Sequence, residues 1–328
     1  MKHAIQSIAV LCSGGDSPGM NCAIRAVVRT AIAQGLTVYG VQKGYQGLLE
    51  NRLVPLDASS VGNIFQYGGT ILQTSRSQRF QTQEGRAEAA QILKNMNIDA
   101  LVVIGGNGSL NGAYKLHQEF DIAVAGVPGT IDNDIEGTDY TIGFNTAVQT
   151  AVEATDKIRD TAQAHFRTFV IEVMGRKSPA IALHVGMCTG AENIVFPMDL
   201  DNINIDQIAA DIRRGIERGK ESSIIIVAEG EKEGASHQIK HDLRDRHGID
   251  SRVCILGHIQ RGGSPTAYDR FRACQMGYVA VNALLAGDRA CVAVERHGEV
   301  LSVPLSECLG KKYDVNPNML KIVKTLSV

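Results

Sequence analysis

Eight short apolar runs punctuate the chain: Ser7–Cys12, Leu36–Val41, Ala100–Ile104, Ile122–Val127, Thr168–Val173, Asn193–Phe196, Ser223–Ala228 and Val253–Leu256. Several are apolar at nearly every position, which suits strands covered on both faces rather than strands with one face in water. Between them, helical periodicity runs through Met20–Gln34, Gly85–Met96, Asn145–Ala164, Ile205–Arg218, His237–His247 and Asp269–Ala286. Strand and helix in alternation build βαβ units, so the expected class is α/β with mainly parallel sheets between helices. At 328 residues, about two such domains fit.

Many of the 34 glycines fall just past strand ends: Gly14 and Gly15, Gly105 and Gly106, Gly126 and Gly129, Gly175, Gly230, Gly262 and Gly263. Open α/β sheets bind ligands beyond the carboxyl ends of their strands, so the chemistry is expected at these turns.

Four sets of residues carry it. The turn Ser13–Gly19 (SGGDSPG) brings backbone close to a ligand and then offers the N-terminus of a helix, a favourable place for phosphate. The turn Ile104–Gly112 (IGGNGSLNG) forms a second nest of N–H groups, but its last glycine falls one residue late for a dinucleotide fingerprint. An oxidoreductase needs an acid at the end of the next strand, whereas Glu119 and Asp121 precede a strand. The turn Pro128–Asp134 (PGTIDND) places two carboxylates beside a threonine and an asparagine, a set suited to a general base or to Mg²⁺. Finally Arg76, Arg79, Arg167, Arg176, Arg252 and Arg261 lie mostly at strand ends, where guanidinium forks match phosphate oxygens. Each feature has a plainer reading taken alone: a tight βα turn, an Asx turn or a solvated charge.

The remaining composition excludes other classes. Net charge is −2 with no basic block, so a nucleic-acid footprint is absent. Seven widely spaced cysteines without a CxxC pair point to reduced thiols in a cytoplasmic protein, with neither disulfides nor a zinc site. The N-terminal apolar run is too short for a signal peptide, and no stretch is long enough to span a membrane.

Read together, SGGDSPGMN, GGTILQTSR, GGNGS, PGTIDNDIEGTDYTIGF, IEVMGR and LGHIQRGGSP resemble the bacterial-type phosphofructokinase family, in order and spacing, from Ile8 to about Leu285. The resemblance implies two Rossmann-like three-layer α/β/α domains with the active site in the cleft between them. The larger, ATP-binding domain would comprise 1–143 plus 258–304, and the smaller, fructose 6-phosphate domain 144–257 plus 305–328. It implies in-line transfer of the γ-phosphoryl of ATP to the sugar 1-hydroxyl, with Mg²⁺, in a homotetramer. Asp132 matches the base, flanked by Thr130, Ile131 and Asp134. Gly15, Tyr45, Arg76, Ser77, Gly106, Asn107, Gly108 and Ser109 match ATP-binding positions, and Arg76 and Arg176 the groups near the transferring phosphoryl. Met174, Gly175, Arg176, Glu229, His258, Ile259, Gln260 and Arg261 match the sugar pocket, with Arg167 and Arg252 reaching a neighbouring subunit's sugar phosphate. Asn107 and Asp134 match the metal position. Arg25, Arg29, Arg159, Glu192, Arg218 and Lys220 match a site for a nucleotide or phosphoenolpyruvate effector, although Ala58 replaces one further arginine.

Two glycines bear on the phosphoryl donor. Pyrophosphate-using relatives tend to carry Asp at the position of Gly108 and Lys at that of Gly129, so the glycines favour ATP. Against the family pattern GGDGS, Asn107 removes one negative charge from the metal position. That leaves a catalytically weakened, regulatory subunit as an alternative to the kinase. The KSPA after MGR also departs from the family, and Ser77 stands where some relatives carry an aromatic ring.

Overall fold

The computed structural model describes residues 5–164, 167–231, 234–310 and 315–326; Met1–Ala4, the start of the apolar N-terminal segment, lie outside them. In chain order the elements are β1 (Ser7–Ser13), α1 (Met20–Ala33), β2 (Thr37–Val41), α2 (Gly44–Leu49), β3 (Leu53–Leu56), α3 (Gln83–Asn95), β4 (Ala100–Gly105), α4 (Asn107–Phe120) and β5 (Ala123–Pro128). Then come α5 (Phe144–Ala164), β6 (Thr168–Val173), α6 (Ala180–Thr189), β7 (Asn193–Val195), α7 (Ile205–Glu217), β8 (Ser223–Ala228), α8 (Ala235–His247) and β9 (Ser251–Ile255). The last are α9 (Ala267–Ala286), β10 (Ala290–Arg296), β11 (Glu299–Pro304) and α10 (Pro317–Leu326).

The chain divides into two compact units: Met1–Thr146 with Arg261–Lys311, and Ala147–Gln260 with Lys312–Val328. The sequence placed the changes of unit at 143, 257 and 304. The first two fall three residues later. At the third, Leu305–Cys308 stays with the first unit, because Leu305 and Cys308 are buried in its core.

In the first unit, seven strands form one sheet in the order β11-β10-β5-β4-β1-β2-β3. The centre is parallel; β2–β3 and β10–β11 are antiparallel and close the edges. Ile8, Val10 and Cys12 of β1 face a core shared with α1 and α9, whereas Ala9 and Leu11 face one shared with α2, α3 and α4. Successive side chains of a strand point to opposite faces, so burial on both sides demands the unbroken apolar run seen in the sequence. In the second unit, a wholly parallel sheet runs β7-β8-β6-β9. Val170, Ile225 and Val227 pack there against Ile205, Ile208 and Ala209 of α7 and Ile239 and Leu243 of α8.

All eight expected strands are present. Elements absent from the sequence reading have local reasons. β3 carries Pro55, which confines it to a sheet edge. α6 (AIALHVGMCT) is apolar almost all round and shows little helical period. β10 and β11 form a hairpin whose turn residues, His297 and Gly298, both have positive φ, the signature of a tight two-residue turn that the His-Gly pair could have signalled.

Candidate active site

In the first unit the three expected turns follow β1, β4 and β5, neighbours in the sheet whose carboxyl ends lie together. Gly105 is forced by this crowding: a Cβ there would stand 2.4 Å from the carbonyl oxygen of Ser13. β4 passes directly into α4, whose cap residue Gly106 has no side chain. The first backbone N–H groups and the positive end of the helix dipole therefore face outward uncapped, which favours an anion. Nothing lies within 4 Å of a Cβ built on Gly108, so this face of the turn is open.

Tyr45 is buried against the turn and Ser77 is half-buried beside α2 and Phe80. The Tyr45 ring is 5% exposed and stacks on Phe80 with centroids 3.8 Å apart. Its hydroxyl donates to the carbonyl of Ser109 at 2.7 Å, and burial holds its pKa well above the usual phenol range. Ser77 Oγ donates to Gln46 Oε1 at 2.8 Å and accepts from Phe80 N at 3.2 Å. Arg76, one residue earlier, is exposed. Thr74, which the sequence did not single out, donates from Oγ1 to the carbonyl of Gly14 at 2.7 Å, tying this loop to the first turn.

After β5, an isolated bridge pairs Gly129 with Ile142 and folds the Thr130–Asp134 loop back on itself. Thr130 N donates to Ile142 O at 3.1 Å, and Thr130 Oγ1 accepts from Asp132 N at 3.3 Å. Asp132 and Asp134 are half-buried, and the Ile131 side chain is buried. Asn107 Nδ2 donates to Asp134 O at 3.2 Å, whereas Asn107 Oδ1 is buried without a hydrogen-bond partner. An orphaned acceptor beside Asp134 fits one oxygen ligand of a hard cation. Among the described residues, however, no group of three or more His, Cys, Asp or Glu side chains is placed to cage a metal. The residues therefore fit an ion that arrives with most of its oxygen ligands supplied by phosphate and water.

Arg261, assigned by sequence to the sugar pocket, belongs to the first unit. Its guanidinium lies 3.2 Å from where a Gly15 Cβ would stand, against the first turn, and its Nε is buried without a partner.

The second unit gathers the other cluster. Met174, Gly175 and Arg176 follow β6; Gly175 and Arg176 both have positive φ, and Arg176 is exposed. Glu229, at the end of neighbouring β8, donates its N–H to Val173 O at 2.7 Å. Gln260 is fully buried: its Oε1 accepts from Met174 N at 2.8 Å and its Nε2 donates to Ala147 O at 3.4 Å. It therefore supports the Met174–Arg176 turn, where the sequence had placed it in the pocket lining. His258 and Ile259 are exposed, as is Arg252, whose Nη2 lies 3.5 Å from Asp250; Arg167 is half-buried.

The residues matched to an effector site fall in both units. In the first, Arg25 lies 5.5 Å over the Phe65 ring, and Arg29 donates weakly to Ala58 O. In the second, Glu192 is buried, accepting from Ile224 N at 2.6 Å and pairing with Lys220 at 3.2 Å. Arg159 donates to Thr189 O at 2.6 Å, and Arg218 caps the end of α7.

The phosphofructokinase family model matches residues 7–284 of the chain. The chain belongs to the phosphofructokinase family. It is 48% identical over 324 residues to ATP-dependent 6-phosphofructokinase 1 of Thermus thermophilus, an alignment covering 99% of this chain and 100% of that one. With the ATP-dependent 6-phosphofructokinase of Bacillus pumilus it shares 49% identity over 326 residues, at 99% and 100% coverage. Among solved structures, phosphofructokinase from Saccharomyces cerevisiae superposes with a TM-score of 0.85 at 35% identity. That alignment covers 98% of this chain and 46% of the yeast chain, so this chain spans just under half of the yeast protein's length. A pyrophosphate-dependent phosphofructokinase from Marinobacter aquaeolei has a TM-score of 0.83 over 99% of this chain and 92% of its own, but at 21% identity it shares the fold alone. The phosphofructokinase fold of these neighbours is the mainly parallel α/β architecture expected from the sequence.

Proposed function

We propose that this phosphofructokinase transfers the γ-phosphoryl of ATP to the 1-hydroxyl of fructose 6-phosphate, giving fructose 1,6-bisphosphate and ADP. The observation that carries the reading is end-to-end identity near 48% with bacterial ATP-dependent enzymes. Gly108, open to the surface, supports a nucleotide donor, since an acidic side chain would take the space of the α-phosphate.

In this reading the turns of the first unit bind the nucleotide. Backbone N–H groups around Gly15, Gly106, Gly108 and Ser109 receive its phosphates, with Arg76 at the transferring group. Asp132 removes the proton from the sugar hydroxyl as oxygen attacks phosphorus in line, while Thr130 holds its turn. Met174, Gly175, Arg176, Glu229 and His258 bind the sugar phosphate, and Arg167 and Arg252 serve the sugar phosphate of a neighbouring copy in a homotetramer. Asn107 Oδ1 and Asp134 would hold a Mg²⁺ ion brought by the nucleotide, and such an ion would supply neutralisation of the charge that develops on the transferring group. Arg25, Arg29, Arg159, Arg218 and Lys220 bind an anionic effector, with Glu192 beside them. The protein is cytoplasmic in this reading; among the described residues no helix is long and apolar enough to cross a membrane.

The test is the initial rate with fructose 6-phosphate and Mg²⁺, with ATP in one reaction and pyrophosphate in another. Bisphosphate formed only with ATP is expected. Product only with pyrophosphate overturns the donor. No product with either donor overturns the kinase assignment, and an Asn107→Asp variant that then gains activity identifies a regulatory subunit.

A further inference from the structure

Asp269 lies in the first turn of α9, and none of its surface is exposed. One carboxylate oxygen accepts from Tyr140 Oη at 2.5 Å and from Gly143 N at 2.6 Å. The other accepts from Thr146 N at 2.8 Å and Thr146 Oγ1 at 2.5 Å, with Thr266 Oγ1 at 3.5 Å. Gly143 precedes α5 and Thr146 is its third residue. Asp269 thus caps α5 from another helix, in the role a serine or aspartate at position 143 would otherwise fill. α9 is itself capped by Thr266, whose N–H donates to Thr146 Oγ1 at 3.0 Å. Two helix N-termini converge on one carboxylate, and both dipoles favour an anion there.

The segment so gripped holds the Thr130–Asp134 loop. Between Tyr140 and Gly143, Thr141 Oγ1 donates to Thr130 O at 2.6 Å. Ile142 O accepts from Thr130 N at 3.1 Å, and Ile142 N donates to Pro128 O at 2.9 Å. Thr130 Oγ1 then accepts from Asp132 N. Hydrogen bonds joined by the short Tyr140–Gly143 backbone stretch thus lead from Asp269 to Asp132, all inside the first unit.

We infer that Asp269 is a positioning residue for phosphoryl transfer: by gripping Tyr140–Thr146 it fixes where the Asp132 carboxylate stands. The inference rests on the reading of Asp132 as the base. A base displaced by an ångström forfeits on the order of a hundredfold in rate without loss of substrate affinity. A cap that merely stabilises the fold predicts a lower melting temperature and an unchanged turnover.

Asp269→Asn keeps the volume but presents an NH₂ group to N–H donors. It is expected to lower kcat by roughly thirtyfold or more, with KM for ATP and for fructose 6-phosphate within about threefold. Asp99→Asn is the structural control. Asp99 accepts from Gln6 N at 2.8 Å and Ser7 N at 3.0 Å at the start of β1, remote along the strand from its carboxyl end. It is expected to lower the melting temperature and leave kcat alone. If Asp269→Asn behaves likewise, the inference fails. Should Asp269→Asn not fold, Tyr140→Phe and Thr141→Val each remove one donor along the path. Their losses in kcat are expected to be non-additive by more than about threefold in the double variant; additive or absent losses overturn the inference. A wild-type enzyme inactive with ATP removes the reading beneath it, whereas an active wild type with unchanged kcat in every variant removes the inference alone.

Discussion

The hydroxyl of Tyr45 donates to the backbone carbonyl of Ser109 across 2.7 Å, joining positions 64 residues apart. The ring is buried and stacked on Phe80, so in the proposed reading it serves the nucleotide through the shape of the turn at α4. Tyr45→Phe keeps the stack and deletes one hydrogen bond. The expected loss is about 1 kcal/mol of nucleotide affinity, roughly a fivefold rise in KM for ATP with KM for the sugar unchanged. Steady-state kinetics with each substrate varied checks it.

The two donor-related glycines differ in the space around them. A Cβ at Gly108 meets nothing within 4 Å, whereas one at Gly129 stands 3.1 Å from Ile104, 3.2 Å from Met20 and 3.4 Å from Gly105 N. Gly108→Asp is therefore expected to melt within about 2 °C of wild type while losing use of ATP. Gly129→Lys is expected to cost about 1–3 kcal/mol of stability, as overpacking does, before any effect on the donor is read. Thermal unfolding of the two variants side by side tests the contrast.

In the proposed reading Asn107 makes opposite contributions to structure and to metal binding. Its Nδ2 tethers Asp134 O, and its Oδ1 waits unpaired. Asn107→Asp adds the charge a hard cation prefers and deletes the tether. The midpoint of a Mg²⁺ titration of activity is expected to fall, and the metal-free protein to melt earlier, since a hydrogen bond of about 1 kcal/mol is lost. An unchanged midpoint would remove Asn107 from the proposed metal ligands.

Asp132→Ala removes the carboxylate proposed as the base and leaves the backbone bond to Thr130 intact. The expected effect is a fall in kcat of roughly 10²–10⁴, with ATP affinity measured by direct binding unchanged.

Burial pushes the thiols of Cys12 and Cys22 up to about 12, and those of Cys291 and Cys308 up to about 11. Cys188 is exposed. In native protein at pH 8, Cys188 should react first with a thiol reagent and those four last, with all seven available only in denaturant. The sign for stability follows. A thiol whose folded value exceeds the ordinary 9.0 contributes fully below pH 9, and that contribution is lost as pH rises through 11 to 12. The melting temperature should decline above pH 9.

The strands most readable in the sequence were those whose residues have no solvent-facing side, such as β1, where Ile8 and Ala9 serve opposite cores. The glycine- and aspartate-bearing turns after β1, β4 and β5 were readable because their chemistry is local. What escaped was decided at long range. Asp269 meets Tyr140 across 129 positions, and Thr74 meets Gly14 across 60. Gln260 and Tyr45 were noticed, but not their burial or their bonds to Met174 N and Ser109 O, because those partners lie 86 and 64 positions away.

The pairing of β5 with β10 joins Val124–Gly126 to Ala290–Val292. Every residue of β6 to β9 leaves the ribosome between those partners. The second unit's sheet, contiguous in the chain, is therefore available to fold first, and the first unit must hold its parallel strands unpaired at the β5 edge until the β10–β11 hairpin emerges. During synthesis the amino-terminal part is thus the last to close, the reverse of the usual order, and the exposed edge of β5 is where a nascent chain of this protein is most open to chaperones and to aggregation.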